Sequence, residues 1–304
     1  MFIVRHKNIF LGIGLFLTLV SLGAIVRPGL DLGIDFSGGT LIEFSYQAGF
    51  QPSVENLRET LAEAGFERVI VQPTGENGIL LRLPHISDAD RQKISTALSN
   101  ASSGSVTLEN LTSIGPVIGS ELKRKSIYAI TGVILLIVLY ITYAFRKVSQ
   151  PVMSWKYGLI AVVTLLHDVI VPSGFYVLYS SLTGAEVDLL FVTALMAVLG
   201  FSVHDTIIVF DRIRENLAKN VGRDSFPEIV GKSLRETFTR SVTTSFTVVL
   251  TLLALIFFGG PQTVHFSVLL LVGIIAGTYS SLCIASPLLI FMEARQRRSS
   301  PRRS

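Results

Sequence analysis

Six apolar segments, each long enough to cross a lipid bilayer, constrain the fold of this chain more than any other feature. An α-helix rises about 1.5 Å per residue, so about 20 apolar residues cover a hydrocarbon core of about 30 Å. Only 16% of the 304 residues are charged, whereas soluble domains carry about 25%. We therefore expect an α-helical membrane protein with transmembrane segments at residues 8–26, 126–145, 157–179, 189–210, 241–258 and 266–292.

Lys and Arg residues are concentrated in alternate connections between these segments. Both chain ends and the connections after the second and fourth segments are basic, whereas residues 180–187 and 259–265 contain neither Lys nor Arg. Because basic connections stay in the cytoplasm, we expect both termini to be cytoplasmic. No cleavage pattern follows the first segment, so we expect it to be a retained anchor. The net charge of +4 then reflects this topology and does not indicate nucleic-acid binding.

The connection between the first two segments is long enough to fold as a domain of its own, on the extracytoplasmic side. The expected division of the chain is 1–28 for the cytoplasmic N-terminus and first transmembrane helix, 29–125 for the extracytoplasmic domain, 126–292 for transmembrane helices 2–6, and 293–304 for a basic cytoplasmic tail.

Local patterns within the extracytoplasmic domain predict an α+β fold. We expect strands at residues 41–46, 69–72, 79–83 and 106–111, and helices at 52–64 and 87–98. Ser53 is the expected N-cap of the first helix, and Ser87 with Asp90 forms a shortened capping box at the second. The order βαββαβ predicts a ferredoxin-like module.

No pattern in the sequence indicates catalysis. The extracytoplasmic domain has one histidine, His85, and no cluster of metal ligands, and the chain contains no GxxxxGK[ST] sequence for phosphate binding. We expect no enzyme activity, no cofactor, no metal and no nucleotide. The domain is expected to contact a partner or a substrate.

The fourth apolar segment contains two adjacent ionisable residues, His204 and Asp205. An ionisable side chain at the centre of a membrane helix costs about 2.5–3.5 kcal/mol on insertion scales, so such residues usually have partners or form an ion path. We expect a proton path with Asp205 at its centre and Arg240 as a counter-charge. A static hydrogen-bonded clamp is the alternative for Asp205, and a membrane-edge anchor is the alternative for Arg240.

Further polar residues near this segment leave two interpretations open. Residues one apart on a helix point about 100° apart, so His204 either joins the proton path or faces a neighbouring helix. His167 and Asp168 fall near the middle of the third segment. We expect one of them to face Asp205, in a structural pair or in proton transfer.

Glycine and other small residues mark two further features. Gly273, Gly277, Ser281 and Ala285 recur every four residues in the sixth segment, a stripe that indicates close helix packing. A sequence with two glycines, Gly38 and Gly39, follows the first segment and is expected to act as a hinge at the membrane exit.

Four motifs together resemble the SecD/SecF family of the bacterial protein-export machinery. They are DLGIDFSGGT at 31–40, GPVIGSEL at 115–122, His167-Asp168, and LGFSVHDTIIVFDRIREN at 199–216. The length resembles the SecF members. The resemblance implies an architecture like that of resistance–nodulation–division exporters, with Asp205 essential for proton conduction and Arg240 entering the fifth helix. Many relatives have Asn where this chain has His204, which leaves the role of His204 open.

The resemblance also implies the function and the partners. We expect an accessory subunit that uses the proton-motive force to promote protein export across the cell membrane, or across internal membranes in a photosynthetic bacterium. Its expected partners are a SecD-like subunit, a SecYEG-type channel, unfolded exported polypeptides and the lipid bilayer. The alternatives are a self-contained proton-driven exporter of small molecules and a non-conducting scaffold. Residue types leave open whether the coupling ion is H⁺ or Na⁺.

Overall fold

The computed structural model describes residues 2–27, 29–47, 52–66, 69–74, 77–84, 86–101, 106–146, 152–220 and 224–299. The helices are α1 (Phe2–Arg5), α2 (Lys7–Val26), α3 (Ile34–Ser37), α4 (Val54–Glu63), α5 (Asp88–Ala101), α6 (Pro116–Ala144), α7 (Ser154–Thr183), α8 (Leu189–Lys219), α9 (Phe226–Phe258), α10 (Pro261–Ser280) and α11 (Ser286–Ser299). A π-helical turn, Ser281–Ala285, joins α10 to α11. The strands are β1 (Gly39–Tyr46), β2 (Ile70–Thr74), β3 (Gly78–Leu83) and β4 (Val106–Ile114).

The chain folds into two compact units. The helical unit comprises Met1–Leu30, Tyr128–Ala185 and Leu190–Ser304, and the sheet unit comprises Asp31–Ile127 and Glu186–Leu189. Within the described residues, six helical stretches are long and apolar enough to cross a membrane: α2, α6, α7, α8, α9, and α10 continued through the π-helical turn into α11. The predicted six transmembrane helices are therefore confirmed.

The sheet unit has the predicted order of elements, β1-α4-β2-β3-α5-β4. Its four strands are antiparallel in the order β2-β3-β1-β4, so the strand after each helix returns to a non-adjacent position. This is the ferredoxin-like split βαβ topology, and the predicted fold class is confirmed. Alternate residues of β1 and β3, including Ile42, Phe44 and Leu81, pack in the core against Leu57 of α4 and Ile94 of α5.

Both predicted helix caps of this unit are present. The Ser53 hydroxyl accepts the Asn56 N–H at 3.3 Å, and Ser87 and Asp90 cap each other through their backbone N–H groups. The hydrogen bonds from Ser87 lower the pKa of Asp90. The strands and α5 extend a few residues beyond the predicted bounds, while His85 and part of the predicted turn at 75–78 lie outside the described residues.

Several membrane helices extend past their apolar segments, and the extensions of α8 and α9 contact each other. α8 continues beyond Phe210 to Lys219, and α9 begins at Phe226 rather than at residue 241. Polar contacts stabilise these extensions, because Glu236 accepts hydrogen bonds from Arg212 at 2.6 Å and from Asn216 at 2.8 Å. Hydropathy alone underestimates the length of such helices, because their additional turns are polar.

The predicted stripe of small residues packs α10 and the π-helical turn against α8. A Cβ atom on Gly273 would lie 2.1 Å from a methyl carbon of Val198, and one on Gly277 would lie 2.9 Å from the Ser202 Cβ. Ser281 is fully buried and donates a hydrogen bond to the Ser202 carbonyl at 3.2 Å. The packing interpretation of the stripe is therefore confirmed.

Candidate functional site

The candidate site is a buried polar face of α8 in the helical unit. Ser202, Asp205 and Thr206 are each at most 2% exposed. Asp205 and Thr206 follow Ser202 by three and four residues, so both lie on the same side of the helix as Ser202. Glycine and small residues on α10 let the two helices approach closely enough to bury this face.

Asp205 is the least satisfied group on this face. Its Oδ2 has no hydrogen-bond partner among the described residues, and neither has the Oγ of Ser241 on α9. The Ser241 hydroxyl lies beside the carboxylate but outside hydrogen-bond geometry, and His204 and Arg240 act on the carboxylate through their charges. A buried carboxylate with an unpaired oxygen is costly when it is charged, and protonation removes most of that cost.

Arg240 lies near Asp205 without contacting it. The charges of the two residues attract each other across a gap. In the part of the chain that the structure describes, no ion pair within 4.0 Å joins them. Arg240 is exposed on α9, where its carbonyl accepts a hydrogen bond from Thr244 at 2.9 Å. The predicted pair is therefore close but open in this structure.

His204 is exposed, whereas its neighbour Asp205 is buried. The two side chains leave α8 in different directions, as expected from the angle of about 100° between adjacent helical residues. His204 thus lies on the outer surface of the helical unit and not on the polar face that holds Asp205.

His167 and Asp168 form a second buried polar cluster. Asp168 accepts hydrogen bonds from Ser202 of α8, from Ser280 of α10 at 2.8 Å, and from the adjacent His167 at 2.9 Å. Among the described residues, Asp168 thus bonds to His167 and to two serines and not to Asp205, so the expected pairing with Asp205 is absent there. Nε2 of His167 is buried without a hydrogen-bond partner among the described residues.

A series of hydroxyl groups begins at Asp168 and ends at Thr206, and no bond of the series reaches the Asp205 carboxylate among the described residues. Ser202 contacts Asp168, Ser281 donates to the Ser202 carbonyl, and Ser281 lies 2.8 Å from the Thr206 hydroxyl, next in sequence to Asp205. Sequence reasoning missed this series. The signal was the presence of Ser and Thr within apolar segments.

No metal centre accompanies these groups in the described ranges, where no set of three or more His, Cys, Asp or Glu residues converges. The chemistry available is proton binding by carboxylate and imidazole groups. The fold and the site define a multi-pass membrane protein with one ferredoxin-like insert and titratable groups buried between its helices.

The chain belongs to the SecD/SecF family of protein-export membrane proteins, as a SecF-type member. Residues 93–295 match the family model described as protein export membrane protein SecD/SecF, C-terminal, and residues 23–49 match the SecD/SecF GG motif. The protein translocase subunit SecF of Thermobaculum terrenum is 42% identical over 302 residues, covering 96% of this chain and 93% of that protein. The protein translocase subunit SecF of Pseudomonas aeruginosa is 34% identical over 293 residues, covering 94% of this chain and 89% of that protein.

A solved structure has the same fold. The crystal structure of SecDF, a translocon-associated membrane protein from Thermus thermophilus, matches 96% of this chain with a TM-score of 0.82 and 31% identity. A structure of SecDF in a super-membrane-facing form matches with a TM-score of 0.68 and 32% identity. This chain spans 38% of the length of each SecDF chain.

Proposed function

We propose that this chain promotes protein export across the cell membrane by using the proton-motive force, together with a SecD-like partner. The observation that carries the proposal is Asp205, a buried carboxylate that lies near Arg240. Among the described residues, one oxygen of Asp205 has no hydrogen-bond partner and Arg240 has no ion pair within 4.0 Å. Asp205 would take up a proton from one side of the membrane and release it to the other. One charge crossing the full membrane potential yields about 2.3 kcal/mol per 100 mV, so a few protons suffice for a modest rearrangement.

Arg240 would let Asp205 alternate between a protonated and an ionised state. When the two groups are apart, a neutral, protonated Asp205 is favoured because its buried charge would have no close partner. When Arg240 approaches, the ionised carboxylate is favoured and the proton is released. The open arrangement of Asp205 and Arg240 would correspond to the protonated state.

The outer surface of α8 and α9 supports the proposal of a SecD-like partner. Ala197, Gly200 and His204 are exposed on α8, and Arg240 and Thr244 are exposed on α9. A surface of small, polar and charged residues suits helix–helix contact better than contact with lipid tails. Six spans would then form half of a two-part assembly, in which His204 and Arg240 face the partner.

The remaining partners and the location follow from the family relationship and from the charge distribution. We propose a SecYEG-type channel and unfolded exported polypeptides as the other partners, and the cell membrane as the location. Both termini would be cytoplasmic, because the basic connections stay on that side. In a photosynthetic bacterium, internal membranes would be a second location.

The experiment that tests this function is export of a reporter protein in cells whose only copy of the chain carries Asp205→Asn. Asp211→Asn is the matched control, since Asp211 lies on the same helix but is half-exposed and paired with Arg214. We expect export to fail with Asp205→Asn and to stay normal with Asp211→Asn, while both variants insert and bind the partner. Normal export with Asp205→Asn would leave the chain a scaffold and would contradict the proposal.

A further inference from the structure

The DLGIDFSGGT motif makes a set of contacts within the sheet unit that the proton site does not explain. Gly33 donates its N–H to the Val187 carbonyl at 2.8 Å, and Val187 donates its N–H to the Asp31 carbonyl at 2.8 Å. These bonds form a parallel bridge between Leu32 and Val187. The motif is thus joined to residues 186–189, which directly precede and begin α8.

Asp35 contacts the first residue of α8. Its Oδ2 accepts the N–H of Leu189 at 2.9 Å. The first N–H groups of a helix have no partner within the helix, and a carboxylate there also interacts favourably with the helix dipole. Asp35 therefore stabilises the start of α8 from a different part of the chain.

An ion pair reinforces this connection from the sheet. Arg82 of β3 pairs with Glu186, and both side chains are largely buried, at 19% and 15% exposed. Asp31 also acts on Arg82 electrostatically. Arg82 is held in register by both neighbouring strands, opposite Leu41 of β1 and Ile70 of β2. Glu186 is thereby attached to the rigid part of the sheet.

Glycines in the motif allow these close approaches. A Cβ atom on Gly33 would lie 3.1 Å from the Val187 carbonyl oxygen, and one on Gly38 would lie 2.8 Å from the Pro116 Cα at the start of α6. Gly38 also has a φ of +72°, which few other residues adopt. The two glycine-containing motifs at 31–40 and 115–122 therefore pack against each other, and the hinge expected at Gly38 and Gly39 stays a prediction.

We propose that Asp35 and the Arg82–Glu186 pair are positioning residues that fix the start of α8 to the sheet unit, so that a movement of α8 is transmitted to that unit. The inference rests on the proposed function, since Asp205 lies on the same helix sixteen residues after Leu189, a distance of about 24 Å along the axis. The bridge, the cap and the ion pair together form the clamp. Proton binding at Asp205 would move the sheet unit only while the clamp is closed.

The first test separates proton flux from export. Arg82→Glu and Glu186→Arg each break the ion pair, and the double reversal restores it. Asp35→Ala removes the cap, and Asp35→Asn keeps an acceptor.

Arg58→Glu, which disrupts an exposed ion pair with Glu55 in the same unit, is the matched control. We expect the breaking variants to lose export in cells and to keep proton flux in vesicles that contain the full chain and its partner, while the double reversal, Asp35→Asn and the control retain both.

A purely structural role would give a different result, in which export and flux fall together with the amount of assembled protein. That result, or normal export with the ion pair and the cap both removed, would overturn the proposal. Asp205→Asn is measured in parallel. If it exports normally, the proton-driven function is wrong; if it fails while the breaking variants export normally, only the clamp is wrong.

A cross-link provides a second test that does not depend on a weakened fold. Leu32→Cys with Val187→Cys places two cysteines at paired positions of the bridge, a spacing suited to a disulfide. Because the clamp stays closed during transport in this account, oxidation should leave export unchanged. The two single-cysteine variants are the controls. Loss of export on oxidation, reversed by reduction, would show that the clamp has to open and would contradict the proposal.

Discussion

Ser280 donates a hydrogen bond of 2.8 Å to Oδ2 of Asp168, and this bond joins α10 to α7 inside the helical unit. The same oxygen accepts from Ser202 of α8, and Oδ1 interacts with His167. Asp168 is therefore bonded on both oxygens, whereas Asp205 keeps one oxygen unpaired among the described residues. The first arrangement suits a structural role for the carboxylate, and the second suits a group that changes its protonation.

Replacement of Asp168 should reduce stability more than it reduces proton coupling. Asp168→Ala leaves the buried hydroxyl of Ser202 without its acceptor, at a cost of about 1–3 kcal/mol, whereas Ser280 still has the Gly277 carbonyl at 3.0 Å. Asp168→Asn keeps one acceptor oxygen and should cost less. Thermal unfolding of the purified chain in detergent measures both, with Asp211→Asn as the control. Full thermal stability of Asp168→Ala, combined with lost proton flux, would place Asp168 in the proton path.

Gly273→Ala, which adds one carbon to the small-residue stripe of α10, should lower the stability of the protein. The Cβ of Gly273→Ala would lie 2.1 Å from a Val198 methyl, and Val has little freedom to rotate away within a helix. Overpacking of this kind costs about 1–3 kcal/mol. Gly132→Ala is the matched control, because a Cβ there meets no atom within 4 Å and Ala favours the helix. A thermal midpoint of Gly273→Ala equal to that of the unchanged chain would show that α8 and α10 are less closely packed than described.

Tyr46 on β1 has a buried hydroxyl without a hydrogen-bond partner among the described residues. Tyr46→Phe removes this group and should raise the stability of the sheet unit by about 1 kcal/mol. Burial also raises the pKa of Tyr46 to about 12 from its usual value of 10.0. A raised pKa favours the folded state below pH 10, and this contribution is lost as the pH rises through about 12.

The measurement for Tyr46 is thermal unfolding of the full chain at neutral pH, followed by phenolate absorbance in an alkaline titration. Tyr128→Phe is the control, because Tyr128 is 67% exposed. The difference in absorbance between the unchanged chain and Tyr46→Phe should develop near pH 12. A difference that develops near pH 10, or a loss of stability in Tyr46→Phe, would indicate that the hydroxyl has solvent or a hydrogen-bond partner.

Much of the fold follows from patterns that reach over a few residues. Apolar length predicts the six spans, and alternation with turns and caps predicts the βαββαβ order, because both depend on local burial. The polar extensions of α8 and α9 could not be predicted in this way. Glu236 of α9 stabilises them by accepting hydrogen bonds from Arg212 and Asn216 of α8, which are distant in sequence.

The candidate site was predictable as residues but not as an arrangement. Asp205 and Asp168 stand out because carboxylates are rare in membrane helices. Their different environments depend on Ser202, Ser280 and Ser281, which meet only after α7, α8 and α10 have packed together. The contact of Asp35 with Leu189 likewise joins residues distant in sequence, and no local pattern signals it.

Proton transfer by Asp205 is the proposal on which the function of this chain depends. Its most direct measurement is proton flux into vesicles that contain the full chain and its SecD-like partner, driven by a pH gradient and a membrane potential in buffer free of Na⁺. The account predicts flux with the unchanged chain and with Asp211→Asn, and none above the empty-vesicle level with Asp205→Asn. Equal flux with Asp205→Asn and with the unchanged chain would contradict it.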